Sequence, residues 1–127
     1  MMRTLLTLVC GMWLAGCSMA DVLNATIPRE GYTVIRDIAY GTLSRQKLDL
    51  YVPAHASHAP VIVFFYGGSW QQGSKADYRF LGEAFASKGY ITAVADYRLY
   101  PEVRFPTFVE DAALATTYVH HHAAAFG

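Results

Sequence analysis

Five residues in the middle of the chain, Tyr66-Gly67-Gly68-Ser69-Trp70, have the makings of an anion-binding loop. Adjacent glycines can take backbone angles closed to other residues, and they let a bound molecule reach the main chain. Free N–H groups at such a place can point into a cleft and stabilise a developing oxyanion, at roughly 10²–10³ in rate per donor. A tight turn that uses glycine for geometry alone fits the same pentapeptide equally well, so its surroundings must decide. Asp96, Arg98 and Asp111 supply a second set of charged groups. Charges at a strand end close to a helix start read as a structural ion pair that orders a loop, so Asp96 is not taken as a catalytic acid. His120-His121-His122 suggests a metal site. Successive helical residues point about 100° apart, however, so three in a row cannot face one ion. No HExxH or carboxylate partner at ligand spacing accompanies them, and no metal or cofactor is expected.

The elements that would position these groups can be read from the hydrophobic pattern. Thr33 to Tyr40 reads as a strand, and Gln46 to Val52 alternates Leu48, Leu50 and Val52 with Lys47, Asp49 and Tyr51. That period of two predicts one wet face and one buried face. Gly41 to Ser44 suits a hairpin connection between them. Val61 to Phe65 is an unbroken apolar run, the mark of a strand buried on both faces. Ala76 to Lys88 reads as a helix with Phe80, Leu81, Ala84 and Phe85 on its apolar side. Tyr90 to Ala95 reads as another buried strand. A last helix runs to about Ala124, with Thr107 as cap and Glu110 completing a capping box. Strand, strand, strand, helix, strand, helix predicts an α/β fold, a three-layer α/β/α sandwich with an antiparallel start and a parallel βαβ continuation. The sheet is expected to end on a bare edge, which invites aggregation.

The 127 residues suffice for one small domain, and 54% of them are hydrophobic against 16% charged, which marks a globular chain. Ten basic and ten acidic residues cancel, and no basic stripe exists, so nucleic-acid binding has no electrostatic support. The first residues do not belong to the domain. Arg3 gives a positive start and Leu5 to Leu14 a short apolar stretch, too short to span a bilayer about 30 Å thick. Leu14-Ala15-Gly16-Cys17 resembles a bacterial lipobox. The resemblance implies a lipoprotein signal peptide at 1–16, cleavage before Cys17, and acylation of that cysteine. Ser18 after it implies sorting to the outer membrane of a Gram-negative cell, with the protein facing the periplasm. Residues 17–32 then read as a tether between lipid and domain, and residues 33–127 as the domain itself.

Three blocks in order carry a further resemblance: the Tyr66 to Trp70 loop, then Asp96-Tyr97-Arg98-Leu99-Tyr100-Pro101, then Phe105-Pro106 with Val109 and Asp111. Together they are similar to the α/β-hydrolase esterases and lipases with an HGG-type oxyanion loop, the carboxylesterase-like and hormone-sensitive-lipase-like group. The resemblance runs from Val34 to Gly127. It implies a serine carboxylic-ester hydrolase acting on a small ester, with Gly67, Gly68 and Ser69 forming the oxyanion loop. Gly68 and Ser69 would give the N–H donors, and Trp70 and Tyr66 would shape the pocket. Tyr66 departs from the family, where histidine is usual. The family's nucleophile lies in G-x-S-x-G, followed by the acid and the histidine. None of Ser18, Ser44, Ser57, Ser69, Ser74 and Ser87 has that setting. The chain therefore reads as the N-terminal portion of such a domain, with the serine expected after Phe126-Gly127, and as inactive alone. The alternative is a lipid-anchored surface lipoprotein that uses the partial fold as a binding module.

Overall fold

The computed structural model describes residues 18–127, so the expected signal peptide and the acylated Cys17 lie outside the described residues. Helix α1 spans Met19–Thr26, strand β1 Tyr32–Ala39, β2 Lys47–Pro53 and β3 Val61–Phe65. A 3-10 turn at Lys75–Tyr78 leads into α2, Arg79–Ala86, followed by β4, Ile91–Ala95, and α3, Thr107–Phe126. The four strands form one sheet in the order β1-β2-β4-β3. β1 and β2 pair antiparallel, β2 and β4 antiparallel, and β3 and β4 parallel. α3 covers one face through Ala115 and Val119, against Leu48, Leu50, Ile91, Ala93 and Ala95. On the other face Ala86 of α2 packs with Tyr51 and Val94. This is the expected three-layer α/β/α arrangement. Each fully buried Leu, Ile or Val contributes about 1.5–3 kcal/mol over an exposed one.

Several local readings change. β4, wholly buried, lies in the middle of the sheet, whereas β3 is half-buried at an edge. An apolar run reports lack of polar groups, not position in the sheet. The polar face of β2 is not wet: Asp49 and Tyr51 are each 1% exposed. Asp49 is buried because it is paired, which is what makes a buried carboxylate tolerable. It accepts from Lys75 Nζ at 2.7 Å and the Asp37 N–H at 2.9 Å, and Arg36 Nη1 stands 3.7 Å away. Asp37 itself sits where the β1–β2 register shifts, and its carboxylate takes Lys75 Nζ at 2.8 Å. Burial works against the Lys75 ammonium, but Asp37 and Asp49 outweigh it and hold its pKa above the ordinary lysine value.

The helix expected from Ala76 opens as a tighter turn, and its deepest residues are Gly82 and Ala86, with Ala84 exposed. Tyr51 explains the choice: a Cβ on Gly82 would sit 2.4 Å from its ring. Thr107 does not cap α3. Pro106 takes that position with no side-chain cap, so the expected capping box is absent, and Val109 and Glu110 donate N–H bonds to the Pro106 carbonyl. Within the segment read as a tether, α1 is a folded helix with its own capping box, Ser18 with Asp21.

Candidate active site

The glycine loop leaves β3 at Tyr66 and returns through Gly73 to the 3-10 turn, so its floor can be built from both ends. Tyr66 is buried, its ring stacked on Tyr78 at 5.4 Å and on Tyr97 at 4.8 Å between centroids. Its hydroxyl donates to Asp96 Oδ1 at 2.6 Å and accepts from Arg45 Nη2 at 2.8 Å. Burial first, and then the Asp96 hydrogen bond, push this phenol far above its ordinary pKa, so it remains a neutral donor. Arg45 also donates to the carbonyls of Gly73 at 2.9 Å and Tyr97 at 2.8 Å. Asp96 takes the Lys75 N–H at 2.7 Å besides the Tyr66 hydroxyl, and Arg45 Nη2 lies 3.8 Å away. The Tyr97 hydroxyl closes the ring by donating to the Tyr66 carbonyl at 2.5 Å. One guanidinium and one carboxylate thus hold both ends of the loop.

Above this floor the backbone turns left-handed for three residues in succession. Gly68 has φ +128°, Ser69 +55° and Trp70 +62°. Gly68 is required: a Cβ there would meet the Gln72 carbonyl oxygen at 2.4 Å. Two non-glycine residues in the left-handed region are uncommon, and such conformations concentrate at binding sites. Trp70 is held in place, its indole stacked on Phe108 at 4.6 Å and its carbonyl accepting the Tyr100 N–H at 2.8 Å. The N–H groups of Gly68, Ser69 and Trp70 have no acceptor among the described residues. Consecutive unpaired N–H groups in such a turn form a concavity suited to an anion.

Two clefts flank the loop. One, of about 640 Å³, is bordered by Gly67, Gly68, Gln72, Tyr78 and Phe80 together with Met19 and Leu23 of α1. The other, of about 330 Å³, is bordered by Ser69, Trp70, Tyr100, Arg104, Phe105 and Phe108. Trp70 lines the smaller cleft, but Tyr66 borders neither. Its hydroxyl has two strong polar partners below the loop, in Arg45 and Asp96.

The second charged set divides. Arg98 and Asp111 form a closed pair: Arg98 donates to the carboxylate from Nη2 at 2.7 Å, Nε at 2.8 Å and its backbone N–H at 3.0 Å. The Gln46 amide adds a bond at 2.9 Å. Burial alone would raise the Asp111 pKa, but the Arg98 and Gln46 hydrogen bonds win and hold it below the ordinary carboxylate value. Asp96 is not part of that pair and belongs to the loop floor. His120, His121 and His122 are exposed on successive sides of α3, with His122 stacked on Tyr118 at 4.1 Å. Arg45, Gln46 and Lys75, which tie these networks together, carried no signal in the sequence, because each bond joins residues 21 to 65 positions apart.

Comparison with known proteins supplies a context for this geometry. Residues 48–127 match the BD-FAE family. The chain is 37% identical over 95 residues to a probable isoprenylcysteine alpha-carbonyl methylesterase of Arabidopsis thaliana, a match covering 74% of this chain and 20% of that protein. It is 29% identical over 100 residues to a kynurenine formamidase of Danio rerio, covering 71% and 34%. Among solved structures it superposes on esterase B from Lactobacillus rhamnosis with a TM-score of 0.76 at 25% identity, covering 85% of this chain and 36% of that one. An esterase from the planctomycete Thermogutta terrifontis gives 0.61 at 36% identity, covering 77% and 36%. The chain spans about a fifth of the length of the plant methylesterases it matches.

Proposed function

The chain belongs to the BD-FAE family, within the α/β-hydrolase esterases, and on that premise we propose that its glycine loop is the oxyanion-binding half of a serine carboxylic-ester hydrolase site. In this reading the N–H groups of Gly68 and Ser69 hold the oxygen of a small ester as it gains negative charge. A serine attacks the carbonyl, and a histidine oriented by a carboxylate moves the proton. The observation that carries the reading is the run of unpaired N–H groups at Gly68 and Ser69, on a left-handed backbone braced from below by Tyr66, Arg45 and Asp96. Titrating ¹⁵N-labelled chain with methylphosphonate, a tetrahedral oxyanion, is expected to move the Gly68 and Ser69 amides first. Shifts confined to other residues overturn the assignment.

The 127 residues contain no G-x-S-x-G. The chain alone is therefore expected to resist labelling by a fluorophosphonate probe and to leave p-nitrophenyl acetate intact. A second reading is a non-catalytic surface module that binds through the same loop. Both readings carry the proposed lipid anchor at Cys17 and attachment to the outer membrane. Metabolic labelling with palmitate that persists in Cys17→Ala counts against the anchor.

A further inference from the structure

We infer that α1 is the specificity wall of the larger cleft, and that the ester held on the loop has a long apolar arm lying between α1 and the 3-10 turn. The inference rests on the oxyanion reading of Gly68 and Ser69 and deepens it.

α1 has no buried residue, so the domain core does not need it. Among the described residues its hydrogen bonds to the rest of the domain come from one side chain. Asn24 Nδ2 donates to the carbonyls of Ala76 at 3.1 Å and Asp77 at 3.2 Å, and Asn24 Oδ1 accepts the Phe80 N–H at 2.9 Å. The same amide thus seats α1 on the turn and satisfies an otherwise free N–H in the first turn of α2. Seated there, α1 presents Met19, 74% exposed, and Leu23, 38% exposed, to a cleft whose other borders include Gly67, Gly68, Tyr78 and Phe80.

Two facts select the occupant. The cleft begins at Gly67 and Gly68, so a group bound there is continuous with a carbonyl on the loop. The carboxylate at its border, Asp77, is already engaged by the Ser74 N–H at 2.9 Å, and Met19, Leu23, Tyr78 and Phe80 give the cleft an apolar contact surface beside the polar Ser18 and Gln72. At about 640 Å³ it falls within the usual range for small-ligand sites. A short ester would leave this apolar wall wet. A hydrocarbon arm would cover it, at roughly fourfold in affinity per buried methylene.

Non-hydrolysable methyl ketones test this, because they place a carbonyl on the loop with an arm of chosen length. In ¹⁵N spectra of the full chain, 2-decanone is expected to shift Gly68 together with Leu23 and Tyr78, and to bind at least about tenfold more tightly than 2-butanone. Leu23→Trp, which fills the cleft, removes that preference by weakening 2-decanone more than 2-butanone. Val22→Trp, on the same helix but away from the cleft, keeps it. Asn24→Ala, with the melting of the domain checked, weakens 2-decanone alone. Shifts at Gly68 without shifts at Leu23 and Tyr78 overturn the wall and spare the oxyanion reading. Shifts at Leu23 without Gly68 overturn the link between cleft and loop, and no shift at either site overturns both readings. Equal behaviour of the two tryptophan variants also overturns the wall.

Discussion

Asp96 opens the connection between β4 and α3 and Asp111 lies just past it, inside α3, and each gathers a ring of donors, but the rings do different work. Asp111 closes mainly on one neighbour: three of its four bonds come from Arg98, and the fourth from the distant Gln46, just before β2. Asp96 reaches away from its own segment, taking the Tyr66 hydroxyl from one end of the glycine loop and the Lys75 N–H from just past the other. A sealed carboxylate that returns to its neighbour stabilises the scaffold. A carboxylate that bridges the two ends of a loop fixes the loop's shape. Two similar charges fifteen residues apart thus divide stability and site geometry between them.

The sharpest way to break this division is at Asp111. Asp111→Ala leaves the Arg98 guanidinium and the Gln46 amide without their acceptor, and is expected to cost about 3–5 kcal/mol in urea unfolding. The loop amides of the remaining folded protein should stay where they are. Because the Asp111 pKa lies below its unfolded value near 3.9, its contribution is complete above that pH and is lost as the pH falls through the folded value. The stability gap between wild type and Asp111→Asn should therefore narrow below about pH 4.

Asp96→Ala should act in the opposite sense. The expected loss of stability is smaller, about 1–3 kcal/mol, yet the Gly68 and Ser69 amides should shift, since the two loop ends lose their common anchor. Equal loop shifts in both alanine variants would erase the distinction. Tyr66→Phe is the finest probe. It keeps the rings stacked on Tyr78 and Tyr97 and removes only the hydroxyl, at about 1 kcal/mol. A visible change at Gly68 would show that the hydroxyl, and not the stack, sets the loop.

What the sequence made legible follows the range of each interaction. β3 was readable from Val61 to Phe65 because an apolar run is a local property, and the α/β/α layering followed from the order of elements. The position of β4 between β2 and β3 was not readable, since neighbours in a sheet are chosen by packing over long separations. Asp49 looked solvent-facing because the partners that permit its burial, Lys75 and Arg36, belong to other segments. Thr107 looked like a cap because it has a suitable side chain, but the chain reaches the helix through Pro106 and leaves Thr107 inside it. In the candidate site, Gly67, Gly68 and Ser69 were visible from their composition. The floor of Arg45, Tyr66 and Asp96 was hidden, as was the Asn24 clamp, because both exist only after distant segments meet.

The place of β4 also bears on how the molecule assembles. It arrives last of the four strands along the chain, yet Ala93 has Leu50 on one side and Val63 on the other. Among the described residues the β1–β2 hairpin and β3 join one sheet only by pairing with it, so they do so once α2 has carried the chain back across. That requirement puts a costly long-range closure on the way to the complete sheet, which slows folding. It also implies a gradient in the native state, in which backbone amides of β4 exchange with solvent most slowly and those on the outer sides of β1 and β3 most rapidly.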